Sequence, residues 1–256
     1  MAAPRVIVTR PEREAARWVD DLRAAGMDAV ALPLIAIAPL EDPAALDAVW
    51  PKVPGYDALR FVSAAAAEHF LSRRGARQLP RARFWATGPG TVRGLREAGV
   101  PAASIDAPAA DAAQLDSEAL WERVRPQVHP GARVLIVRGG DASGQAVGRE
   151  WLAREIAAAG GACDAVAAYR RLSPPWSDAA RRLVDESSAG SAVWLFSSSE
   201  AIANLRRQAS GTDWRAACAV VTHERIADAA RDAGFGRVHV SSPGLPALIA
   251  SIESFA

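Results

Sequence analysis

Much of this chain is written twice. Arg5–Arg10 reads RVIVTR and Arg133–Arg138 reads RVLIVR. Phe61–Ala67 (FVSAAAA) answers Phe196–Ile202 (FSSSEAI), and Thr87–Gly99 (TGPGTVRGLREAG) answers Thr222–Gly234 (THERIADAARDAG). The offsets are 128, 135 and 135 residues, so one insertion near Gly139–Glu150 separates two otherwise parallel halves. Solenoid repeats have periods of about 20–50 residues; this repeat is a duplicated domain. A length of 256 residues suits one large domain or two of about 125, and the duplication selects two. Two copies of one fold imply a cleft between them, a favoured place for a small molecule.

Charge and composition exclude several classes. Thirty basic residues stand against 29 acidic ones, and no basic block suggests nucleic acid. The N-terminal stretch lacks a charged leader followed by an apolar run, and no segment reaches the ~18 apolar residues of a membrane helix. Cys163 and Cys218 read as reduced core residues of a cytoplasmic protein. The four histidines show no metal-ligand spacing, and no G-x-S-x-G elbow marks a serine nucleophile. The eight tryptophans read as packing.

Short apolar runs alternate with helical stretches. Val6–Thr9, Ala29–Leu32, Leu34–Leu40, Ala58–Val62, Phe84–Ala86 and Ala103–Asp106 are the expected strands of the first copy. Val134–Val137, Ala165–Ala168, Val193–Phe196, Ala219–Val221 and Val238–Val240 are those of the second. Continuous apolar strands suggest parallel sheets covered on both faces, and the alternation gives a doubly wound α/β class.

Ligands of open α/β sheets bind beyond the carboxyl ends of the strands. The residues there are Arg10, Ser63, Ala64, Thr87, Gly88, Arg138, Gly139, Gly140, Tyr169, Ser197, Ser198, Ser199, Thr222 and His223. They are small, hydroxylated or glycine residues at helix starts, together with arginines. Exposed N–H groups and the helix dipole make such ends anion sites, so the implied ligand is an anion touching both copies. Structural readings stand beside these. Ser63, Ser199 and Thr222 also suit helix caps, Gly88 and Gly90 a plain turn, and Arg10 and Arg138 surface ion pairs. His69 and His239 read as helix-surface or strand residues.

The ordered set of motifs resembles the uroporphyrinogen-III synthase family. It comprises VTRP at Val8–Pro11, LPLIAIAPL at Leu32–Leu40, FVSAAAAEHF at Phe61–Phe70 and ATGPGTVRGLREAG at Ala86–Gly99. VLIVRGG at Val134–Gly140, AAYRR at Ala167–Arg171 and THERIADAARDAGF at Thr222–Phe235 complete it, across essentially the whole chain. The resemblance implies a cytoplasmic, monomeric, cofactor-free lyase of tetrapyrrole biosynthesis. Its substrate would be hydroxymethylbilane, a linear tetrapyrrole with eight carboxylates, and its product uroporphyrinogen III. The last ring is inverted on closure, through a spiro intermediate. Transient contact with the enzyme that forms hydroxymethylbilane is also implied. Tyr169 matches the family's strand-end tyrosine and would act on the departing hydroxyl.

The resemblance further implies two similar doubly wound, flavodoxin-like parallel-sheet domains joined by a two-stranded β-ladder hinge. One domain would be residues 1–36 plus 172–256 and the other 37–171, with crossing segments near 34–40 and 166–172. Thr87-Gly88-Pro89 faces Thr222-His223-Glu224 in the repeat, so the two cleft walls differ. Two other readings stand. One is a two-lobed solute-binding protein that closes on an anion. The other is a tetrapyrrole-binding regulator that kept the fold without catalysis.

Overall fold

The computed structural model describes residues 4–109, 112, 114–148, 150–242 and 244–255. Its strands, in chain order, are β1 (Arg5–Val8), β2 (Ala29–Ala31), β3 (Ala36–Ala38), β4 (Ala58–Phe61), β5 (Arg83–Ala86) and β6 (Ile105–Asp106). They continue with β7 (Arg133–Gly140), β8 (Ala162–Leu172), β9 (Ala192–Phe196), β10 (Cys218–Val221) and β11 (Arg237–Val240). The chain divides into two compact units, Met1–Ala36 with Ser173–Ala256, and Ile37–Leu172. Leu172, assigned from the sequence to the discontinuous unit, ends β8 and belongs to the other.

The discontinuous unit holds a five-stranded sheet ordered β2-β1-β9-β10-β11, parallel throughout. Alternation along the strands sends successive side chains to opposite faces. Val6, Val8, Val193, Leu195, Cys218 and Val220 meet Val19 and Leu22 of the helix Glu12–Ala24 and Leu248 and Ile252 of the helix Leu245–Glu253. Trp194 and Phe196 point the other way, where they join Trp214 and Phe235 in edge-on and stacked contacts. Each such aromatic withdrawn from water contributes roughly 1.5–3 kcal/mol. Numbered within this unit, the strand order is 2-1-3-4-5.

The contiguous unit holds six strands ordered β3-β8-β7-β4-β5-β6. The ladders from β8 to β6 are parallel. Leu59, Phe61, Phe84, Leu135 and Val137 pack on one face with Trp50 and Phe70. Ala58, Trp85 and Val134 pack on the other with Leu120 and Val124 of the helix Ser117–Val124 and Leu152 and Ile156 of the helix Trp151–Ala158. Counted from β7 rather than from β4, β8-β7-β4-β5-β6 also reads 2-1-3-4-5. The connectivity of this unit is therefore a circular permutation of the other's, with β3 added at its edge. Each sheet mixes strands from both copies of the sequence repeat.

Three strand expectations are corrected. Leu34–Leu40 forms a strand only over Ala36–Ala38, because Pro33 and Pro39 lack the amide hydrogen a ladder needs. Ala103–Asp106 begins as a 3-10 turn, Ala102–Ser104, and only Ile105–Asp106 pairs with β5. β8 starts earlier and ends later than Ala165–Ala168, since Ala162–Asp164 already pair with Arg133–Leu135. No helix among the described residues is long and apolar enough to cross a membrane.

Candidate functional site

In the contiguous unit, strand order reverses direction between β7 and β4, and the carboxyl ends of these strands are where an open α/β sheet offers its crevice. Ser63 follows β4. Its Oγ accepts a hydrogen bond from the Ala66 amide at 3.1 Å and so caps the helix Ala64–Ser72, of which Ala64 is the first residue. A serine cap of this kind is worth about 1 kcal/mol. The same Oγ lies 3.1 Å from the Tyr169 hydroxyl. The expected cap and the expected catalytic residue are thus one hydrogen-bonded pair.

A bulge sets the direction of Tyr169. Arg138 pairs with Ala167, but Gly139 pairs with Tyr169, leaving Ala168 as the extra residue. A bulge breaks the two-residue alternation of a strand. Ala168 and Tyr169, neighbours in sequence, consequently enter the same core, at 2% and 4% exposure. Tyr169 lies over Gly139, where a Cβ would fall 2.7 Å from Cζ and 2.9 Å from the phenolic oxygen. His69 tilts against the same ring, 5.7 Å between centroids. It is therefore a neighbour of Tyr169 and not a plain surface residue. Burial holds its imidazole below the usual histidine range, against the raising effect of Glu68.

Gly140 and Arg138 complete this edge. A Cβ on Gly140 would meet the Gly144 carbonyl carbon at 2.7 Å, because residues 141–146 fold back over it. Asp141 shapes that return by accepting from the Ser143 and Gln145 amides. The glycine pair thus admits close approaches of this chain's own atoms. Arg138 is 6% exposed, and burial lowers its pKa against the opposing charge of Glu150. Burial of this arginine departs from the surface-pair reading. Gly88 caps the helix Pro89–Glu97 in an extended conformation that any residue adopts. Thr87 precedes it, half-buried, at the end of β5.

The discontinuous unit reverses its order between β1 and β9. Arg10 follows β1 and is engaged locally, with Glu14 at 3.2 Å and the Trp18 ring 4.6 Å below its guanidinium. Burial lowers its pKa, and its Nε is buried without a hydrogen-bond partner among the described residues. Beside it, Ser197, Ser198 and Ser199 follow β9. Ser198, not Ser199, is the cap, accepting from the Glu200 amide at 3.2 Å. Ser199 is the first helical residue, and its buried Oγ has no hydrogen-bond partner among the described residues. His223, not Thr222, caps the helix Glu224–Asp232 through Nδ1, which accepts from the Arg225 amide at 3.0 Å. Ser63 and Ser198 occupy matching places in the repeat, as do Gly88 and His223.

The sequence places Arg170 after a strand without giving it a role and misses Asn204; both are anchors near these ends. Arg170 donates to the Pro39 carbonyl at 3.0 Å and pairs with Glu41, tying the chain around β3 to the end of β8. Asn204, 3% exposed, donates to the Leu34 carbonyl at 2.7 Å. Its place on the buried face of a helix, between Ala201 and Leu205, is the signal that could have marked it.

The family model for uroporphyrinogen-III synthase HemD matches residues 16–250. A uroporphyrinogen-III synthase from Chlorobaculum parvum is 28% identical over 184 residues, 69% of this chain and 67% of that protein. Two solved structures share the fold. A mutant uroporphyrinogen III synthase from Thermus thermophilus aligns over 99% of this chain and 98% of its own, at 17% identity and a TM-score of 0.59. A uroporphyrinogen-III synthetase from Helicobacter pylori aligns over all of both chains, at 13% identity and a TM-score of 0.55.

Proposed function

We propose that this chain, which belongs to the uroporphyrinogen-III synthase family, converts hydroxymethylbilane to uroporphyrinogen III with inversion of the last ring. The reaction asks little of a protein in bond-making power. An electron-rich pyrrole expels its own hydroxyl once that hydroxyl is protonated, leaving a cationic azafulvene and water. Attack by the substituted carbon of the last ring then gives a spiro intermediate, and reopening and reclosure give the inverted product. Closure without the enzyme gives the uninverted isomer. The protein's contribution is orientation, which favours one of two transition states.

The observation that carries this reading is the Tyr169–Ser63 pair at the first turn of the helix Ala64–Ser72. A phenol there donates its proton to the departing hydroxyl, and the nearby helix N-terminus favours the negative charge left behind. General-acid help of this kind is worth roughly 100-fold or more. Substrate carboxylates suit exposed helix starts, of which the contiguous unit offers Gly88 and the discontinuous unit Ser198 and His223. The 2-1-3-4-5 strand order supports a flavodoxin-like, doubly wound reading of both units. The test supplies hydroxymethylbilane continuously and separates the product isomers by chromatography. Excess isomer III supports the reading. Isomer I alone leaves a binding protein without catalysis.

A further inference from the structure

The Tyr169 ring is held at both ends, by Gly139 and by Ser63. The bulge after Arg138 brings Tyr169 opposite Gly139, and the ring occupies the space where any side chain at 139 would begin. With a Cβ 2.7 Å from Cζ, 2.8 Å from Cε2 and 2.9 Å from the phenolic oxygen, even alanine displaces the ring. At the far end, Ser63 Oγ accepts from the Ala66 amide and keeps one rotatable donor and one lone pair for a further partner. That Oγ stands 3.1 Å from the phenol.

We infer that Gly139 and Ser63 are positioning residues for Tyr169: Gly139 is the seat that sets the ring's direction, and Ser63 is the hydroxyl that follows its proton. The inference rests on the reading of Tyr169 as the acid. Either hydroxyl can donate across this contact, and the inferred resting state is the one in which Ser63 accepts from the phenol. When Tyr169 gives its proton to the leaving hydroxyl, the substrate's C–O bond breaks and water departs. The Ser63 hydroxyl then turns to donate to the phenolate. The proton lost from the pyrrole carbon at ring closure restores the phenol, so the cycle balances without a further reactant. Gly139 thus serves through the space it leaves.

The test is a pair of double-mutant cycles, with Ser63→Ala and Gly139→Ala each made alone and on Tyr169→Phe. Alone, each is expected to lower kcat about tenfold or more, with KM changed less than about twofold, and to raise the share of isomer I. On Tyr169→Phe, each should cost less than about twofold further. Ser63→Thr, which keeps cap and hydroxyl, should recover most of the rate lost by Ser63→Ala. Tyr56 and Tyr169 are the only tyrosines, so fluorotyrosine labelling gives two fluorine resonances, and the one lost in Tyr169→Phe is assigned to Tyr169. Ser63→Ala and Gly139→Ala should each move that resonance and leave the Tyr56 resonance in place, a readout independent of turnover. Equal losses in both backgrounds, or an unmoved Tyr169 resonance, would overturn the inference. A fully active Tyr169→Phe enzyme would instead remove the acid role itself.

Discussion

His69 links packing to pH at the scale of single residues. Its folded-state proton affinity is lowered by burial, while in the unfolded chain it returns to the ordinary value near 6.5. Below that value the unfolded chain binds the proton more readily, so stability falls as pH drops through 6.5 toward the folded pKa. The carboxylates held low by partners, such as Asp47 beside Arg73 and Asp164 beside Tyr56, lose their contribution only at lower pH, below their ordinary 3.8. Thermal melts between pH 7 and pH 5 should therefore show a falling midpoint, and His69→Gln should flatten it. An unchanged slope in that variant would place the effect elsewhere. Cys163 is a second case in which burial decides. Arg60 and Arg138 favour its thiolate, yet desolvation outweighs them and pushes the thiol up to about 11. At pH 8 about a thousandth of it is thiolate, so alkylation by iodoacetamide should run more than about tenfold slower than that of a free thiol.

At the scale of elements, the helix starts separate residues that look alike in sequence. Ser198 accepts a backbone hydrogen bond and Ser199 does not. Ser198→Ala is expected to cost about 1 kcal/mol in chemical denaturation, and Ser199→Ala much less. Equal losses would show that the cap assignment is wrong. This pair also marks what a sequence can reveal. The strands of the parallel sheets are legible because buried β-branched runs admit little else, and the residues at their carboxyl ends follow from that. Which of three consecutive serines caps a helix depends on where the chain turns from extended to helical, and composition does not encode that single-residue choice. The bulge at Ala168 was equally hidden, because AAYRR looks like an ordinary strand end until its register with Arg138 and Gly139 is known. Gly139 and Gly140 were legible as special but for another reason, since their neighbours Tyr169 and Gly144 come from later in the chain. Leu34–Leu40 read as longer than it is, because its alternation outweighed its flanking prolines.

For the whole molecule, the repeat and the compact units are different divisions of one chain. Residues 1–127 would carry β1 and β2 without β9–β11, and β4–β6 without β7 and β8, so each sheet would lose its inner neighbours. Residues 37–172 carry β4–β8 whole. Expressed separately, 37–172 should give a cooperative thermal transition and resist limited proteolysis, whereas 1–127 should do neither. A stable 1–127 fragment would return the sequence repeat to the status of a folding unit. The proposed reaction is a property of the intact chain, so turnover tests it. The most direct measurement supplies hydroxymethylbilane from a coupled enzyme and resolves the product isomers by chromatography. Uroporphyrinogen III in clear excess, reduced toward isomer I by Tyr169→Phe, is the expected result. Isomer I alone from the intact protein, at the rate of the uncatalysed closure, would contradict it.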